Sequence, residues 1–600
     1  MGFGPAVQGF LTTLARALSE NPQLTSRTEL GMPPQVVCYE RADDIGFGVS
    51  GVVTRGRAIR DSFEVFDPAD VPMAAPVAEE RLVYLLDPAG ASRRSLPLRC
   101  VDGLLRVLKP LVRLRHEAVE VPWVPKFLHK RDGFVLSLGQ FSQWVAAQLM
   151  ASGSVQVWPA SPVAEALLEG SRVTGVRLVD QGTDEEGQPR PEFAPGMEVR
   201  AALTVVGDGP VGAVSQQLDR AFGLPPGNSR REWALGMKLV VDLPEGADLQ
   251  PGTVLHTIGY PEPEIFGFLY VHPGRVASVG IFVPSWFDNP VRTVWRYLQH
   301  YIQHPYLWRY LKGGRLRSWG AKSLEESGRT GEPFLALDGC ARIGECSGTT
   351  NILTGSGVDE AWCSGVQLAE GVLDLWKTGQ PFTREQLKRA YVGRRRASWL
   401  DEELRAATHA RDGFERGFLR GLTAMALAGL SGGRLHGPER GRVRGQARKR
   451  PVRSLEDFCR GRLSASQLRA LREDCRLRNV PLHDAVMRCC GWPDVTYDGQ
   501  LLVSLQDALL LGGKVQAPPG FRDHVRFRDA EACRACQDRI CVEMCSGQAI
   551  TPDGDGLPVF EREKCVHCGA CVWNCTEIDE EGQANLVFGA GAGGLHSAEN

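Results

Sequence analysis

GFGPAVQGF, residues 2–10, is the stretch whose reading decides the fold. Gly2 and Gly4 fit the first two glycines of a dinucleotide fingerprint; Val7 holds the third position, and Gly9 follows two residues later. In such a fingerprint the glycines let the backbone approach a pyrophosphate, which rests on the N-terminus of the next helix. A helical pattern does follow, LTTLARAL (11–18). Then PQVVCYERADDIG (34–46) reads as a short apolar strand ending on Glu40, where an acidic side chain takes the ribose hydroxyls of an adenosine half. A buried strand normally precedes the first glycine, and only Met1 stands there. We expect the true start to lie upstream, with Met1 replacing a valine read as an alternative start codon. Mass spectrometry of the native N-terminus tests this, and a chain starting at Met1 or Gly2 overturns it.

Two later segments extend the pattern. LTVVGDGPVG (203–212) is an apolar strand ending in Gly-Asp-Gly. CARIGECSGTTNILTGSGVDEAWCSGVQLAEGVL (340–373) is a strand, a Gly-Glu corner, a glycine-rich loop and a helix, suited to a second phosphate or ribityl contact. Three such pieces across some 370 residues predict one discontinuous flavin domain with another domain inserted between its parts.

The far end carries different chemistry. KCVHCGACVWNC (564–575) places Cys565, Cys568 and Cys571 at C-x2-C-x2-C, with Cys575 four residues on. CRACQDRICVEMC (533–545) supplies Cys533, Cys536, Cys541 and Cys545. Structural zinc usually takes separated C-x2-C pairs. The tight triple is iron–sulfur spacing, and in two-cluster ferredoxins the fourth cysteine of each run serves the other cluster. That crossed rule assigns one [4Fe–4S] cluster to Cys545, Cys565, Cys568 and Cys571, and a second to Cys533, Cys536, Cys541 and Cys575. Ser546 and Thr576 stand where proline often follows the fourth cysteine. Such clusters pass single electrons, so a flavin elsewhere in the chain is a fitting partner.

At 600 residues the chain exceeds one ordinary core. A net charge of −2 gives no pull toward nucleic acid. Seventeen cysteines without a secretory pattern predict a reducing compartment. No apolar run reaches the ~18–20 residues of a spanning helix, so a soluble or peripherally bound protein is expected. IFGFLYVHPGRVASVGIFVP (265–284) reads as a β-hairpin around Pro273-Gly274, a sheet that could floor a quinone ring. FERGFLRGLTAMALAGL (414–430) reads as one helix, packed inside or resting on a bilayer. The arginine-rich stretch 433–453 reads as a solvated linker that could meet anionic headgroups. Two short helical patterns follow it.

The chain resembles electron-transfer flavoprotein:ubiquinone oxidoreductase. The resemblance rests on ERADDIGFGVSGVV (40–53), FVLSLGQFSQWVAAQ (134–148), GTVLHTIGYP (252–261), GGRLRSWGAKSLEESG (313–328), IGECSGTTNILTGSGVDEA (343–361), YDGQLLVSLQDALLLGG (497–513) and KCVHCGAC (564–571), in the family's order. It implies an α/β fold, α+β overall, with three parts. A discontinuous Rossmann-like FAD domain would span 1–75, 135–225 and 330–432. An inserted β-rich quinone domain would span 76–134 and 226–329. After a 433–490 insert, a ferredoxin-like 4Fe–4S domain would span 491–600. By motif, Gly2, Gly4, Glu40, Ser50, Gly51 and Gln140 would line the FAD site, with Asp208, Gly344, Glu345, Gly355 and Gly357. The family's single cluster maps to Cys545, Cys565, Cys568 and Cys571.

The chain departs from the family at Val7, at Phe266-Gly267 where two glycines are usual, in the 433–490 insert, and in the second cysteine set. The implied activity passes electrons from reduced electron-transfer flavoprotein to a membrane quinone, with the protein peripheral on the cytoplasmic face of the inner membrane. Alternatives are a fused flavin–ferredoxin subunit of a bifurcating complex, an isoprenoid-lipid flavin reductase, or an adaptor that has lost FAD. No side chain in the sequence stands out as an acid or base for the quinone.

Overall fold

In the computed structural model a helix, Pro5–Glu20, begins directly after Gly4, with proline at a position where its missing N–H costs nothing. The helix buries Ala6, Phe10, Leu14 and Leu18, the period of one helical face. Its partner is the Val358–Lys377 helix. They pack so closely that a Cβ on Gly365 would stand 1.8 Å from the Ala6 carbonyl oxygen, and one on Gly9 2.6 Å from that of Trp362. The third fingerprint glycine usually lets the helix approach a strand; here Val7 holds that position. Val7 is buried and fills the space above Gly207.

The structure describes the chain apart from residues 22–23, 25–33, 50, 231, 288–292, 437–454, 460, 479–481, 512–514, 537–538, 554, 580–582, 596 and 600. Ser50 and most of the arginine-rich 433–453 stretch lie outside the described residues.

Beside the helix pair run two parallel strand pairs, Val37–Tyr39 with Gln156–Trp158 and Thr204–Val206 with Cys340–Arg342. Met1 and Gly2 bridge them. The Met1 amine donates to the Val205 carbonyl at 2.9 Å, the Gly207 N–H to the Met1 carbonyl at 3.2 Å, and the Gly2 N–H to the Tyr39 carbonyl at 2.8 Å.

A seven-stranded sheet forms the second body. Its strands run in the order Arg315–Glu325, Trp233–Asp242, Val276–Pro284, Phe266–His272, Thr253–Ile258, Glu79–Leu85 and Ala118–Val121. All neighbours are antiparallel except Thr253–Ile258 with Glu79–Leu85. The hairpin expected at 265–284 forms, turning at Pro273–Arg275 with Gly274 at φ +76°. Register fixes which side chains share a face. Leu82, His256, Phe268, Gly280 and Lys238 stand in one row across five strands. Ile258, Phe266, Phe282, Gly236 and Lys322 share that face in the adjacent rows.

The single helix expected over 414–430 is broken. A 3-10 turn spans Asp412–Arg416, Gly417 at φ +112° interrupts it, and the helix proper is Phe418–Ser431. The left-handed φ suits glycine alone among ordinary residues, and Phe414 and Phe418 on either side of it both join a buried cluster with Leu98 and Trp286. Beyond the arginine-rich stretch, the helices Ala465–Arg478 and Leu482–Cys489 share the sheet's core cluster through Leu468, Val486 and Met487, and Arg296 pairs with Asp484.

Residues from 515 on form short antiparallel pairs, Val525–Phe527 with Leu586–Phe588 and Ile550–Pro552 with Pro558–Phe560. This part is fastened to the sheet. The Ser323 N–H donates to the Cys568 carbonyl at 2.9 Å, Trp573 Nε1–H donates to Ser323 Oγ at 2.9 Å, and the rings of Trp573 and Trp233 stack.

Candidate cofactor cavity and cysteine sites

A cavity of about 780 Å³ lies between the helix–strand body, the sheet and the C-terminal part. Of the residues the sequence selected, Gly2, Gly4, Glu40, Gly51, Asp208, Gly344, Glu345, Gly355 and Gly357 all line it. Gln140 sits in the first turn of the Leu138–Ala151 helix and directs its amide to the Ala598 carbonyl at 3.4 Å; Leu138 is the cavity-lining residue of that helix.

Two helices open onto the cavity without a side-chain cap, Pro5–Glu20 behind Gly4 and Val358–Lys377 behind Gly357. Each end presents unpaired N–H groups and the positive end of a helix dipole. Glu40 holds the turn beneath them, its carboxylate accepting from the Phe3 N–H at 2.6 Å and the Ala42 N–H at 2.9 Å. Asp208 braces its own loop by accepting from the Ser215 N–H at 3.0 Å. Burial pushes the Glu345 carboxyl up to about 7, and lowers Lys322, its neighbour on the cavity floor. Three lining residues keep buried polar atoms without a partner: Lys238 Nζ, Asn351 Nδ2 and Ser356 Oγ. Uncapped helix ends, an acidic residue at a strand end and orphaned donors fit a dinucleotide with two phosphates and a polar ring edge.

The cysteines fall into the two groups that crossed spacing gives. Cys533, Cys536, Cys541 and Cys575 line one small pocket walled by Phe527, Ile540 and Leu586. Cys545, Cys565 and Cys571 lie together around Cys568, and burial, with the neighbouring thiols, pushes all three upward. Burial pushes Cys541 and Cys545 up to about 12. Thiols held protonated this way give up their protons when cations bind, so loading would be proton-coupled. Donors surround both groups: the Ala549 N–H reaches Cys545 Sγ at 3.1 Å, Ser546 Oγ–H reaches Cys568 Sγ at 3.4 Å, and Asn585 Nδ2–H reaches Cys533 Sγ at 3.2 Å. Four thiols with N–H and O–H donors in apolar walls fit an iron–sulfur centre.

His567 joins the two regions. It lines the cavity, stacks on His524 at 4.1 Å, and lies 3.0 Å from Arg41; His524 Nε2 lies 3.3 Å from Cys565 Sγ. Reasoning from sequence missed Arg41, Lys238, Lys322 and His567 as cavity residues. Arg41 and His567 adjoin selected motifs and could have been found there; Lys238 and Lys322 depend on sheet register.

Parallel strands feeding uncapped helices around a shared cavity define the class: a mixed α/β protein with a sheet domain completing the cavity. Comparison with known proteins narrows this. Residues 233–324 match the family model described as ETF-QO, ubiquinone-binding. Electron transfer flavoprotein-ubiquinone oxidoreductase of Pseudomonas aeruginosa is 28% identical over 63% of this chain and 64% of its own. The mitochondrial protein of that name from Oryza sativa subsp. japonica is 31% identical over 51% of this chain and 52% of its own. The chain thus spans between about half and just under two thirds of the length of these relatives. Among solved structures, a geranylgeranyl bacteriochlorophyll reductase-like protein of Thermoplasma acidophilum aligns with TM-score 0.48 and 14% identity, over 71% of this chain and 90% of that one. The family to which the sequence pointed is the one the sequence matches return, and the segment that its ubiquinone-binding model matches covers five of the sheet's seven strands.

Proposed function

We propose that this chain is an FAD- and iron–sulfur-dependent oxidoreductase that takes electrons from reduced electron-transfer flavoprotein and passes them to a membrane quinone. The observation that carries the reading is the continuity of one cavity. The same space touches the uncapped helix ends, the matched ubiquinone-binding segment at Phe266, Gly267 and Phe268, and the cysteine region at His567. The relatives' name supplies the donor and the acceptor.

When bound, FAD stores two electrons and releases them singly, and [4Fe–4S] clusters carry one at a time. The chain's residues bind and orient. Gly2, Gly4 and Glu40 take the adenosine and pyrophosphate half; Gly51, Gly344, Glu345, Gly355 and Gly357 take the ring half; Asp208 and Gln140 support the walls. In the ferredoxin-like C-terminal part, Cys545, Cys565, Cys568 and Cys571 hold one cluster, and Cys533, Cys536, Cys541 and Cys575 a second. At the quinone end no side chain larger than hydrogen fits at Gly267, whose Cβ would stand 2.6 Å from Tyr301 Oη; Thr257 and Tyr301 are themselves hydrogen-bonded at 2.7 Å. Phe266, in place of a second glycine, stacks edge-on against Phe414 and narrows that entrance.

The protein docks peripherally on the cytoplasmic face of the inner membrane, where its quinone resides. No described helix is long and apolar enough to cross a bilayer. The Leu96–Val107 helix exposes Leu96, Leu104 and Val107, continued by Leu111 and Trp123, with Arg99, Lys109 and Arg113 exposed around them. Exposed apolar groups ringed by cations suit an anionic lipid surface. This face adjoins the Phe418–Ser431 helix, whose Leu422 and Met425 line the cavity and whose Leu427 and Leu430 are exposed.

The second thiol set favours one other reading, a fused flavin–ferredoxin subunit of a bifurcating complex; a redox titration placing one cluster at very low potential would favour it. The direct test mixes the full chain, its flavin and iron counted, with chemically reduced electron-transfer flavoprotein and a short-chain ubiquinone. Quinol formation that depends on the flavoprotein is expected. A flavin-loaded chain that forms no quinol overturns the reading.

A further inference from the structure

Quinone reduction needs two protons as well as two electrons, and the sheet holds an imidazole on the cavity wall against a buried carboxylate. His256 lines the cavity in the row between Leu82 and Phe268, inside the ubiquinone-binding match. Its Nε2 lies 2.8 Å from Glu80 Oε1, and the other ring nitrogen makes no hydrogen bond to the described residues. Glu80 is on the neighbouring strand, its side chain 3% exposed. Its second oxygen accepts the Lys130 N–H at 2.8 Å and lies 2.9 Å from Nδ1 of His129, whose side chain is 40% exposed. The Arg131 N–H also points at that Nδ1, at 2.8 Å.

We propose that His256 is the catalytic proton donor to one oxygen of the bound quinone, charged at Nδ1 by water and held at Nε2 by the Glu80 carboxylate; this rests on the quinone reading above. Hydrogen bonding to His256 and the nearby imidazoles hold the Glu80 carboxyl below its ordinary value against burial, while burial holds His256 below its own. At rest Glu80 is thus a carboxylate, Nε2 carries the hydrogen it accepts, and Nδ1 keeps its lone pair. Electrons arriving on the quinone put negative charge beside the ring, which favours its doubly protonated form. Nδ1 takes a proton from water, and the Glu80 carboxylate stabilises the charged ring through Nε2–H. His256 then gives the Nδ1 proton to the reduced quinone oxygen, forming the O–H bond and returning to the neutral ring. The electron pair comes from the reduced flavin, and the second quinone oxygen takes its proton from water.

The test uses the full flavin- and iron-loaded chain, prereduced and mixed with a short-chain ubiquinone or with ferricenium, which takes an electron and no proton. His256→Gln and Glu80→Gln should slow quinol formation about 100-fold, the lower end of acid–base effects, and leave ferricenium reduction and quinone KM within about twofold of wild type. Equal slowing with both acceptors, or unslowed quinol formation in both glutamine variants, overturns the proposal. A second readout needs no turnover. Calorimetric titration with 2-hydroxy-1,4-naphthoquinone, an anion at neutral pH, in buffers of different ionisation enthalpy should show uptake of about one proton by wild type and none by His256→Gln. Equal uptake overturns the proposal, even for a chain that proves unable to reduce quinone, which would count against the enzyme reading alone.

Discussion

A buried ammonium group without a partner is expensive to keep charged, and Lys238 is in that position. It is 2% exposed, its Nζ has no hydrogen-bond partner, and it lies 2.9 Å from where a Cβ on Gly51 would stand. Burial therefore lowers its pKa well below the ordinary lysine value. The sign of the consequence is fixed. Between the folded and unfolded values the unfolded chain holds a proton that the folded chain does not. The fold thus gains stability as pH rises through that window and loses it as pH falls, at up to ~1.4 kcal/mol per pH unit. In the flavin-free protein Lys238→Met should be the more stable by over about 1 kcal/mol at pH 7, with the advantage shrinking toward pH 10 and above. Urea unfolding from pH 6 to 9 checks this; a less stable variant at pH 7, with the wild-type slope, would show that the amine is compensated. WALGMKLVVD reads as a buried strand with a lysine in it, and nothing local says that the lysine meets a cavity. That follows from its pairing with Gly280 and Gly320.

Elements were legible where a local pattern sets them. The first helix, the Val37–Tyr39 strand, the 265–284 hairpin and the Gly-Glu corner at 344–345 appear where their spacing puts them. The pattern failed where a single backbone angle decides. Apolar residues run on through 414–430, and Gly417 divides them at a left-handed φ that the run of apolar residues does not announce. The departure at Val7 was legible as a departure, whereas the room that Gly207 leaves for it was not, nor was the close meeting of Gly9 and Gly365 on two helices far apart in sequence. Gly365→Ala tests that contact. Its methyl group would push the helices apart and cost about 1–3 kcal/mol. Because both helix N-termini open onto the cavity, the variant should also lose FAD more readily. Thermal unfolding and the flavin-to-protein absorbance ratio measure the two effects; an unchanged melting temperature with full flavin would show that the helices shift freely.

At the scale of the whole molecule, three bodies distant in sequence meet around one cavity, and the C-terminal part bears the sharpest consequence. Cys575 belongs to KCVHCGACVWNC by sequence, yet in space it faces Cys533, Cys536 and Cys541 in a pocket of their own. Cys545 belongs to the upstream run, yet lies with Cys565, Cys568 and Cys571. Each run therefore contributes its last cysteine to the other group, and the short helices Ile540–Glu543 and Ala570–Asn574 carry the chain between them. If both groups hold [4Fe–4S] clusters, Cys575→Ser removes one thiolate from the second only. Iron should fall from about eight to about four per chain while FAD content is unchanged, and the reduced protein should lose the spin coupling between clusters in its EPR spectrum. Cys545→Ser should instead strip the group that reaches the cavity through His524 and His567, so that flavin reduction by the donor slows even though the Cys575 group keeps its iron. Unchanged iron in Cys575→Ser would show that the outer pocket holds no cluster. Loss of all iron in that variant would show that the two groups load as one unit rather than as separate centres.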